Sequence, residues 1–254
     1  MKLSDTFIQP DWPAPANVKA LQTTRQGGIS VAPYDTLNLG LHVGDDPLRV
    51  NRNRQSLAAF MPSEPVWLEQ VHGVAVANAD AAACRVVADA SVARQRGSVC
   101  VVMTADCLPV LLCDEDGTVV GAAHAGWRGL CDGVIETTVK AMGVAPQRLM
   151  AWLGPAIGPE AFEVGAEVRA AFMAHDAHAA EAFVFTHSPL TGEGRGESEK
   201  FHADIYLLAR QRLNALGITR IYGGGYCTYH QREKFFSYRR DGATGRMGTF
   251  IWLN

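Results

Sequence analysis

Residues 99–130 decide the fold, and they read VCVVMTADCLPVLLCDEDGTVVGAAHAGWRGL. Two apolar runs, at 108–113 and 118–125, flank a polar turn at 114–117, a pattern typical of a β-hairpin with a short connection. Both faces of the first run are apolar, so the sheet that contains the hairpin must be covered on both sides. The stretch therefore predicts a layered α/β protein with mixed or antiparallel strands rather than an open doubly wound sheet.

The same hairpin brings a cysteine close to a histidine. Centring it on the turn places Cys107 directly opposite His124, with Cβ atoms roughly 5 Å apart, from where a thiolate and an imidazole can share a metal ion. Pro109 cannot donate to a strand ladder, so the alternative position for Cys107 is just before the strand. The glycine-rich residues 125–129 follow His124 in a strand-to-helix turn, where free backbone N–H groups are able to hold an anion.

A third candidate ligand lies upstream of the hairpin. Residues 66–76 predict a strand interrupted at Gly73, and a backbone irregularity there would aim the preceding side chain, His72. Together with Cys107 and His124 it makes a His2Cys set, the composition of a catalytic zinc site with an open fourth position. Four other residues are candidates for a fourth ligand, but none lies at a short sequence spacing from His72, Cys107 or His124. They are Cys84, Cys227, His202 and His230.

The rest of the chain alternates strands, glycine-rich turns and helices. Asp46 and Pro47 predict the start of a helix that runs to about residue 60. Further helices are predicted at 130–142, 163–175 and 204–216, and further strands at 149–153 and 248–253. The polar stretch 189–200 predicts a loop. Because no repeat or interdomain linker is visible, we expect residues 1–254 to form a single domain.

Composition narrows the range of partners and locations. The net charge is −3, and the absence of a basic run argues against nucleic acid or an anionic membrane surface as a partner. No apolar stretch has the length of a bilayer span, and the N-terminus is polar and broken by prolines, unlike a signal peptide. Six cysteines at irregular spacing do not indicate a disulfide framework. These features predict a cytoplasmic protein with neither nucleic acid nor a membrane as partner.

Seven sequence blocks follow one another along nearly the whole chain. They are TTRQGG at 23–28, LNLG at 37–40, QVHG at 70–73, TADCLP at 104–109, HAGWRG at 124–129, GPAIGP at 154–159 and FSYRR at 236–240. In content and order they resemble the blocks of a bacterial family known variously as laccase-domain protein, multicopper polyphenol oxidase, purine nucleoside phosphorylase and peptidoglycan editing factor. One departure is visible, because the family usually has Cys-Tyr where this chain has Ala161 and Phe162.

The resemblance implies a fold and a set of site residues. The implied fold is a single-domain, four-layer αββα sandwich with mixed sheets, related to toxin-type cysteine hydrolases. The implied zinc ligands, which are also the implied catalytic residues, are His72, Cys107 and His124. The residues implied around the substrate pocket are Arg25, Asn38 and Arg239.

The family names also imply several activities. The resemblance favours a zinc-dependent purine nucleoside phosphorylase, in which phosphate attacks the ribose C1′ of adenosine or inosine. Activity on methylthioadenosine and deamination of adenosine by zinc-activated water are implied as well. An alternative is a peptidoglycan-editing amidase that removes a wrong amino acid from a muramyl peptide. The attacking group would be Cys107, with His124 as base, if the metal is absent, or a zinc-bound hydroxide if it is present.

Two further alternatives are a copper-dependent polyphenol oxidase and a non-enzymatic metal-binding module. The chain has eight histidines, few for the several copper sites of a multicopper oxidase, so this function ranks low. Copper is nevertheless able to occupy a His2Cys site in vitro, because Cu(II) binds most nitrogen and sulfur sites more tightly than zinc does. A structural zinc would need a fourth ligand, which argues against the non-enzymatic module.

Overall fold

The hairpin predicted at the centre of the chain forms the middle of a six-stranded sheet. The computed structural model describes residues 6–81, 86–186 and 199–254. The strands are β1 (Phe7–Ile8), β2 (Val18–Thr23), β3 (Leu68–Glu69), β4 (Val76–Asn78), β5 (Val86–Val87), β6 (Ala90–Ala93), β7 (Val99–Thr104), β8 (Leu108–Asp114), β9 (Val120–Ala125), β10 (Leu149–Leu153), β11 (Glu163–Gly165), β12 (Phe183–Thr186), β13 (Lys200–Ala203), β14 (Arg220–Gly223) and β15 (Met247–Leu253).

Helices connect and cover these strands. They are α1 (Pro47–Ser56), α2 (Trp127–Asp132), α3 (Val134–Met142), α4 (Ala166–His175), α5 (Ile205–Ala215) and α6 (Tyr238–Asp241). Short 3-10 turns lie at Ala58–Phe60, Pro146–Arg148, Pro159–Ala161 and Ala177–Ala182. None of the helices in the described part of the chain combines the length and the apolar character that crossing a bilayer requires.

Two sheets carry most of the architecture. The six-stranded sheet has the order β14-β10-β8-β9-β6-β4, and a four-stranded sheet has the order β1-β2-β15-β7. The pairs β10·β14 and β4·β6 are parallel, whereas β8 pairs antiparallel with both of its neighbours. A three-stranded sheet, β11-β13-β12, and a two-stranded pair, β3-β5, complete the structure. The prediction of mixed sheets is therefore confirmed.

The side chains of β8 show how the layers stack. Leu111 and Cys113 face the four-stranded sheet, in an apolar cluster with Val102 of β7 and Ile251 of β15. On the opposite face, Leu112 belongs to the cluster that the helices α2 to α5 cover. Every residue of β8 is buried, so the hairpin is covered on both faces, as its apolar pattern predicts.

The outer face of the four-stranded sheet is covered by loops and by the end of α1. Val99, Val101 and Phe250 project from this face and share an apolar cluster with Leu39 and with Leu57, the residue that caps α1. From one side to the other, the layers are α1 with its loops, the four-stranded sheet, the six-stranded sheet, and helices. This is the αββα order that the resemblance implies.

The register of the hairpin differs from the prediction by two residues. His124 is paired with Pro109 rather than with Cys107, which lies immediately before β8. The cause is Asp114, whose carboxylate accepts hydrogen bonds from the backbone N–H and the hydroxyl of Thr118 at 2.6 and 2.7 Å and from the next N–H at 2.9 Å. These bonds lengthen the turn on one side and shift its centre. Cys107 therefore takes the alternative position, just before the strand, that Pro109 had suggested.

Most of the predicted helices are present, with altered boundaries. The start of α1 is confirmed, because the Asp46 side chain accepts a hydrogen bond from the backbone N–H of Leu48 at 2.9 Å. The helix predicted at 130–142 begins at Trp127 and is divided into α2 and α3 at Gly133, whose φ of 99° no continuous helix allows. The helix predicted at 163–175 begins at Ala166, because its first three residues pair with β13 as strand β11.

Strand predictions differ in their accuracy along the chain. The strands predicted at 149–153 and 248–253 are confirmed as β10 and β15, and β15 lies inside its sheet, between β2 and β7. The single strand predicted at 66–76 is wrong, because residues 70–75 form no strand and only the short strands β3 and β4 lie on either side of them. The loop predicted at 189–200 lies outside the described residues up to 198, and its last residue begins β13.

Candidate metal centre and substrate cavity

Three side chains of the predicted ligand set meet at one point. The possible ligand atoms of His72, Cys107 and His124 all lie within 4.8 Å of one another. The Cys107 sulfur is 3.7 Å from Nε2 of His72, and the two imidazole centroids are 4.8 Å apart. Within residues 6–81, 86–186 and 199–254, no second group of this kind is found. His124 is buried and His72 is exposed, so the group is open on one side.

Each of the three side chains comes from a different local structure. His124 lies in β9, close to its end. Cys107 follows Asp106, a residue whose φ of 91° turns the chain just before β8. His72 lies in the turn between β3 and β4, not within a strand as predicted, and its own φ is 62°. Positive φ is uncommon outside glycine, so two of the three ligand positions depend on unusual backbone turns.

Asp106 holds the turn that carries Cys107. Its carboxylate accepts hydrogen bonds from the hydroxyl of Thr228 at 2.6 Å and from the backbone N–H of Arg239 at 2.7 Å. Its carbonyl oxygen accepts a third bond, at 2.9 Å, from the backbone N–H of Ile157. The cysteine is thereby fixed to three segments that are distant in sequence.

Two glycines of the block HAGWRG leave space for this group. A Cβ atom on Gly126 would lie 2.8 Å from Cδ2 of His72 and 3.1 Å from the Cys107 sulfur. A Cβ atom on Gly129 would lie 2.9 Å from the carbonyl oxygen of Gly73, in the turn that carries His72. Close approach of α2 to the ligand side chains therefore depends on the absence of side chains at both positions.

The donor set fits a zinc ion. Cysteine sulfur and imidazole nitrogen are the ligands that zinc prefers, and three protein ligands with an open position are typical of catalytic sites. The space beside Gly126 is consistent with this requirement, because a side chain there would crowd the sulfur and one imidazole.

Asp89 is a functional candidate that the sequence analysis missed. It has no exposed surface, and its carboxylate accepts a hydrogen bond from Nδ1 of His124 at 2.8 Å. The backbone N–H groups of residues 71–73 donate to the same carboxylate, at 3.1, 2.9 and 2.7 Å. One signal in the sequence could have identified it, since Asp89 is a lone charged residue inside the run VVADASVA at 86–93.

Charge favours ionised forms of the central pair. Burial by itself raises the pKa of the Cys107 thiol, but the positive charge of His124 and hydrogen bonds from both imidazoles outweigh it and lower the pKa to about 6. Burial opposes the charge on His124, whereas the Cys107 thiolate and Asp89 favour it and raise the pKa of His124 to about 9. The thiolate is the form of cysteine that acts as metal ligand or nucleophile.

A cavity of about 160 Å³ opens beside Cys107. Its walls come from five separate segments and combine aromatic, apolar and charged side chains. They are Ala105, Asp106, Cys107, Trp127, Ile157, Phe162, Ile205, Tyr238 and Arg239. Arg239 is exposed, donates from its guanidinium to the carbonyl oxygen of Glu163 at 2.9 Å, and lies 5.7 Å from the ring centroid of Phe162. The structure thus places Arg239 in the same cavity as Cys107, and its contact with substrate stays a prediction.

Arg25 and Asn38 do not line this cavity. The Arg25 guanidinium forms an ion pair with Asp35 at 3.2 Å and lies 4.8 Å from the ring centroid of Phe236. Asn38 has no exposed surface, and its side-chain oxygen accepts a hydrogen bond from the backbone N–H of Arg246 at 2.9 Å. In this arrangement both residues support loops near the site, and their contact with substrate stays a prediction.

Arg246 adds positive charge close to the group. Burial lowers the pKa of its guanidinium, while the negative charges of Cys107 and Asp106 oppose that change. Burial also lowers the pKa of His42, and the positive charge of Arg246 lowers it further. The charge of Arg246 therefore lies where it interacts with the Cys107 sulfur.

The other candidates for a fourth ligand lie elsewhere. Cys227 and His230 line a second cavity, of about 550 Å³, in which none of the three clustered ligands takes part. The Cys227 sulfur accepts a hydrogen bond from the backbone N–H of Gly158 at 3.3 Å. His202 is in β13, and Cys84 lies outside the described residues. The group of three accordingly keeps its open side.

Similar proteins share the whole length of this chain. Purine nucleoside phosphorylase YfiH of Escherichia coli strain K12 is 55% identical over 252 residues, which cover 97% of this chain and 98% of that protein. Purine nucleoside phosphorylase PA4543 of Pseudomonas aeruginosa is 54% identical over 250 residues, covering 98% and 99%. The crystal structure of the Neisseria meningitidis protein NMB0706 is 51% identical and superposes with a TM-score of 0.88, covering 98% of this chain and 99% of that one.

A family model described as multi-copper polyphenol oxidoreductase laccase matches residues 19–254. The match includes all three clustered ligands and the loops that hold them. Together with relatives that align over nearly their full length, it confirms the family resemblance found in the sequence. The chain therefore belongs to the multi-copper polyphenol oxidoreductase laccase family.

Proposed function

We propose that this protein is a zinc-dependent purine nucleoside phosphorylase that acts on adenosine and inosine. The observation that carries the proposal is the His2Cys group, which is open toward a cavity with aromatic and cationic walls. The names of the relatives, at 54% and 55% identity, agree with this activity. Free cysteines such as Cys107 suit a reducing, cytoplasmic location.

The cavity offers groups for both halves of the reaction. Phe162, Trp127 and Tyr238 supply flat apolar surface against which a purine base can pack. Arg239 presents its exposed guanidinium, and a guanidinium binds phosphate oxygens in pairs. Arg246 adds a positive field that favours an anion near Cys107. When bound, zinc supplies a Lewis acid and a template for substrate oxygens.

The first test joins metal content to a product assay. We expect purified protein to carry about one zinc per chain by mass spectrometry and to release adenine and ribose 1-phosphate from adenosine only when phosphate is present. Inosine and methylthioadenosine are tested in parallel. Inosine formed from adenosine without phosphate would indicate a deaminase, and zinc without any turnover would support the non-enzymatic module. Copper together with phenol oxidation would overturn the proposal in favour of the oxidase.

Cys107→Ala is the matching variant. It removes the only sulfur of the group, so we expect loss of both zinc and phosphorolysis while the circular dichroism spectrum stays unchanged. Cys113→Ala is the control, because it removes a buried cysteine from the interface between the two sheets. A metal-free Cys107→Ala protein with full activity would contradict the proposal.

A second candidate is amide hydrolysis by the cysteine itself, as in the editing of a muramyl peptide. It is favoured by the arrangement of Cys107, His124 and Asp89, in which a buried carboxylate orients an imidazole beside a thiol of lowered pKa. A chelator separates the two functions. Removal of metal is expected to abolish phosphorolysis, whereas a thiol-dependent amidase would keep its activity and lose it on alkylation.

A further inference from the structure

The carboxylate of Asp89 has all of its hydrogen-bonding positions filled. Oδ1 accepts from Nδ1 of His124 at 2.8 Å and from the backbone N–H of His72 at 2.9 Å. Oδ2 accepts from the backbone N–H groups of Val71 and Gly73 at 3.1 and 2.7 Å. A carboxylate offers about four such positions, and a fully buried one needs partners to offset the cost of leaving water. Its orientation is therefore fixed from four directions.

Asp89 holds His124 at two points. Its backbone carbonyl oxygen accepts the backbone N–H of His124 at 2.7 Å, and its carboxylate accepts Nδ1 of the same residue. An ionised carboxylate can only accept, so Nδ1 carries the proton. Nε2 is then the nitrogen that is left for the side of the ring that faces Cys107 and a metal ion.

Asp89 also holds the turn that carries His72. Three successive backbone N–H groups, from residues 71–73, point at this one carboxylate. The residue in the middle, His72, has a φ of 62°, which costs free energy unless surrounding contacts stabilise it. The bonds to Asp89 are contacts of this kind.

We propose that Asp89 is the positioning residue of the metal centre, which sets the ring nitrogen that His124 presents and fixes the turn that presents His72. One carboxylate thus orients two of the three ligands. The inference rests on the metal site of the proposed function but not on the identity of the substrate, because it concerns ligand geometry alone.

Asp89→Asn tests this role through metal affinity. The amide keeps the size of the side chain but puts an NH2 group where N–H donors now meet an oxygen, so it cannot accept all four bonds. We expect zinc to bind roughly 10- to 100-fold more weakly in competition with a chromophoric chelator, as for other carboxylates that orient ligand histidines. The visible spectrum of the cobalt-loaded variant is expected to differ from that of the wild type even at saturation.

Asp114→Asn is the matched control. Asp114 is nearly as buried as Asp89 and accepts three hydrogen bonds, but it lies at the turn end of the β8–β9 hairpin, away from the ligands. We expect its zinc affinity and cobalt spectrum to match those of the wild type, although its stability falls. Equal loss of affinity in the two variants would show a merely structural role for Asp89 and overturn the inference.

A measurement on the wild type covers the case in which Asp89→Asn does not fold. Nitrogen-15 spectra of the zinc-loaded protein are expected to show His124 bound through Nε2, with a proton on Nδ1 that exchanges slowly with water. Binding through Nδ1, or no metal binding, overturns the inference. Normal zinc affinity in Asp89→Asn overturns the inference while leaving the phosphorylase proposal intact. Weakened zinc affinity in this variant, together with no nucleoside turnover by the zinc-loaded wild type, supports the inference and rejects the phosphorylase.

Discussion

His72, Cys107 and His124 come from three segments that only the folded chain brings within 4.8 Å of one another. Their residue types are sufficient to predict a His2Cys set, because the ligand preferences of zinc are properties of the side chains. Their geometry depends on less obvious neighbours. Asp106 and Asp89 fix the turns, and they act largely through backbone N–H groups that every residue other than proline possesses. The lone charge of Asp89 in the run VVADASVA marks an unusual residue, but it does not identify the N–H groups that Asp89 binds.

Gly126→Ala is a prediction at the residue scale. The added methyl group would lie 2.8 Å from the His72 ring and 3.1 Å from the Cys107 sulfur, so these ligands must move apart. The backbone at this position has φ of −62°, which alanine adopts without strain, and the effect is therefore confined to space. We expect zinc affinity to fall roughly tenfold or more, measured by chelator competition.

Gly225→Ala is the control for that experiment. A Cβ atom there would meet nothing within 4 Å, so we expect unchanged zinc affinity and an unchanged unfolding midpoint. If Gly126→Ala bound zinc as tightly as this control, the close packing of α2 on the ligands would have no bearing on the metal centre.

At the scale of elements, the hairpin shows where local patterns succeed and where they fail. Its two strands follow from alternating runs of apolar residues around a polar turn, and both are present as β8 and β9. Its register does not follow from this pattern, because the Asp114 carboxylate accepts hydrogen bonds from Thr118 and extends the turn. A side chain that bonds to the backbone of its own turn changes the pairing that residue counting predicts.

The same carboxylate gives a prediction for acid stability. Burial opposes ionisation of Asp114, but hydrogen bonds from Val119 and Thr118 outweigh it. In the folded protein they hold the pKa of the Asp114 carboxyl below its ordinary value of 3.8. The stabilisation is therefore complete above that value and is lost as the pH falls through the lowered pKa. We expect Asp114→Asn to flatten the dependence of the free energy of unfolding on pH in this acid range, measured by urea denaturation.

Asp132→Asn, at an exposed carboxylate of α2, is the control for the acid measurement. It changes the same functional group without removing the turn, so the pH dependence of unfolding is expected to stay that of the wild type. An Asp114→Asn protein with an unaltered acid profile would mean that the turn bonds do not contribute to folding free energy.

At the scale of the whole molecule, the two main sheets share one apolar interface. Leu111 and Cys113 from the six-stranded sheet pack with Val102 and Ile251 of the four-stranded sheet, all fully buried. Strands β2 and β15 are adjacent although they lie near opposite ends of the chain. The packing of the two main sheets therefore joins segments that are distant in sequence.

Leu111→Ala tests the interface between the sheets. The side chain has no exposed surface, and its truncation leaves a cavity that the surrounding strands cannot fully close. We expect a loss of about 2–5 kcal/mol in the free energy of unfolding, measured by urea denaturation. Leu48→Ala makes the same chemical change at a side chain that is 71% exposed, and its cost is expected to stay within about 0.5 kcal/mol. Similar costs for the two variants would contradict a core at this interface.

The sequence by itself determined the layered fold, most of the elements and the three candidate ligands. It could do so because apolar periodicity, helix caps and ligand chemistry are properties of single residues and their near neighbours. Only the tertiary structure decided the hairpin register and the contacts of Asp89. It also decided that Arg239 lines the cavity beside Cys107, whereas Arg25 and Asn38 do not. The register depends on side-chain hydrogen bonds within the turn, and the other two features depend on hydrogen bonds and packing between segments far apart in the chain. Local sequence patterns do not specify which groups make such contacts.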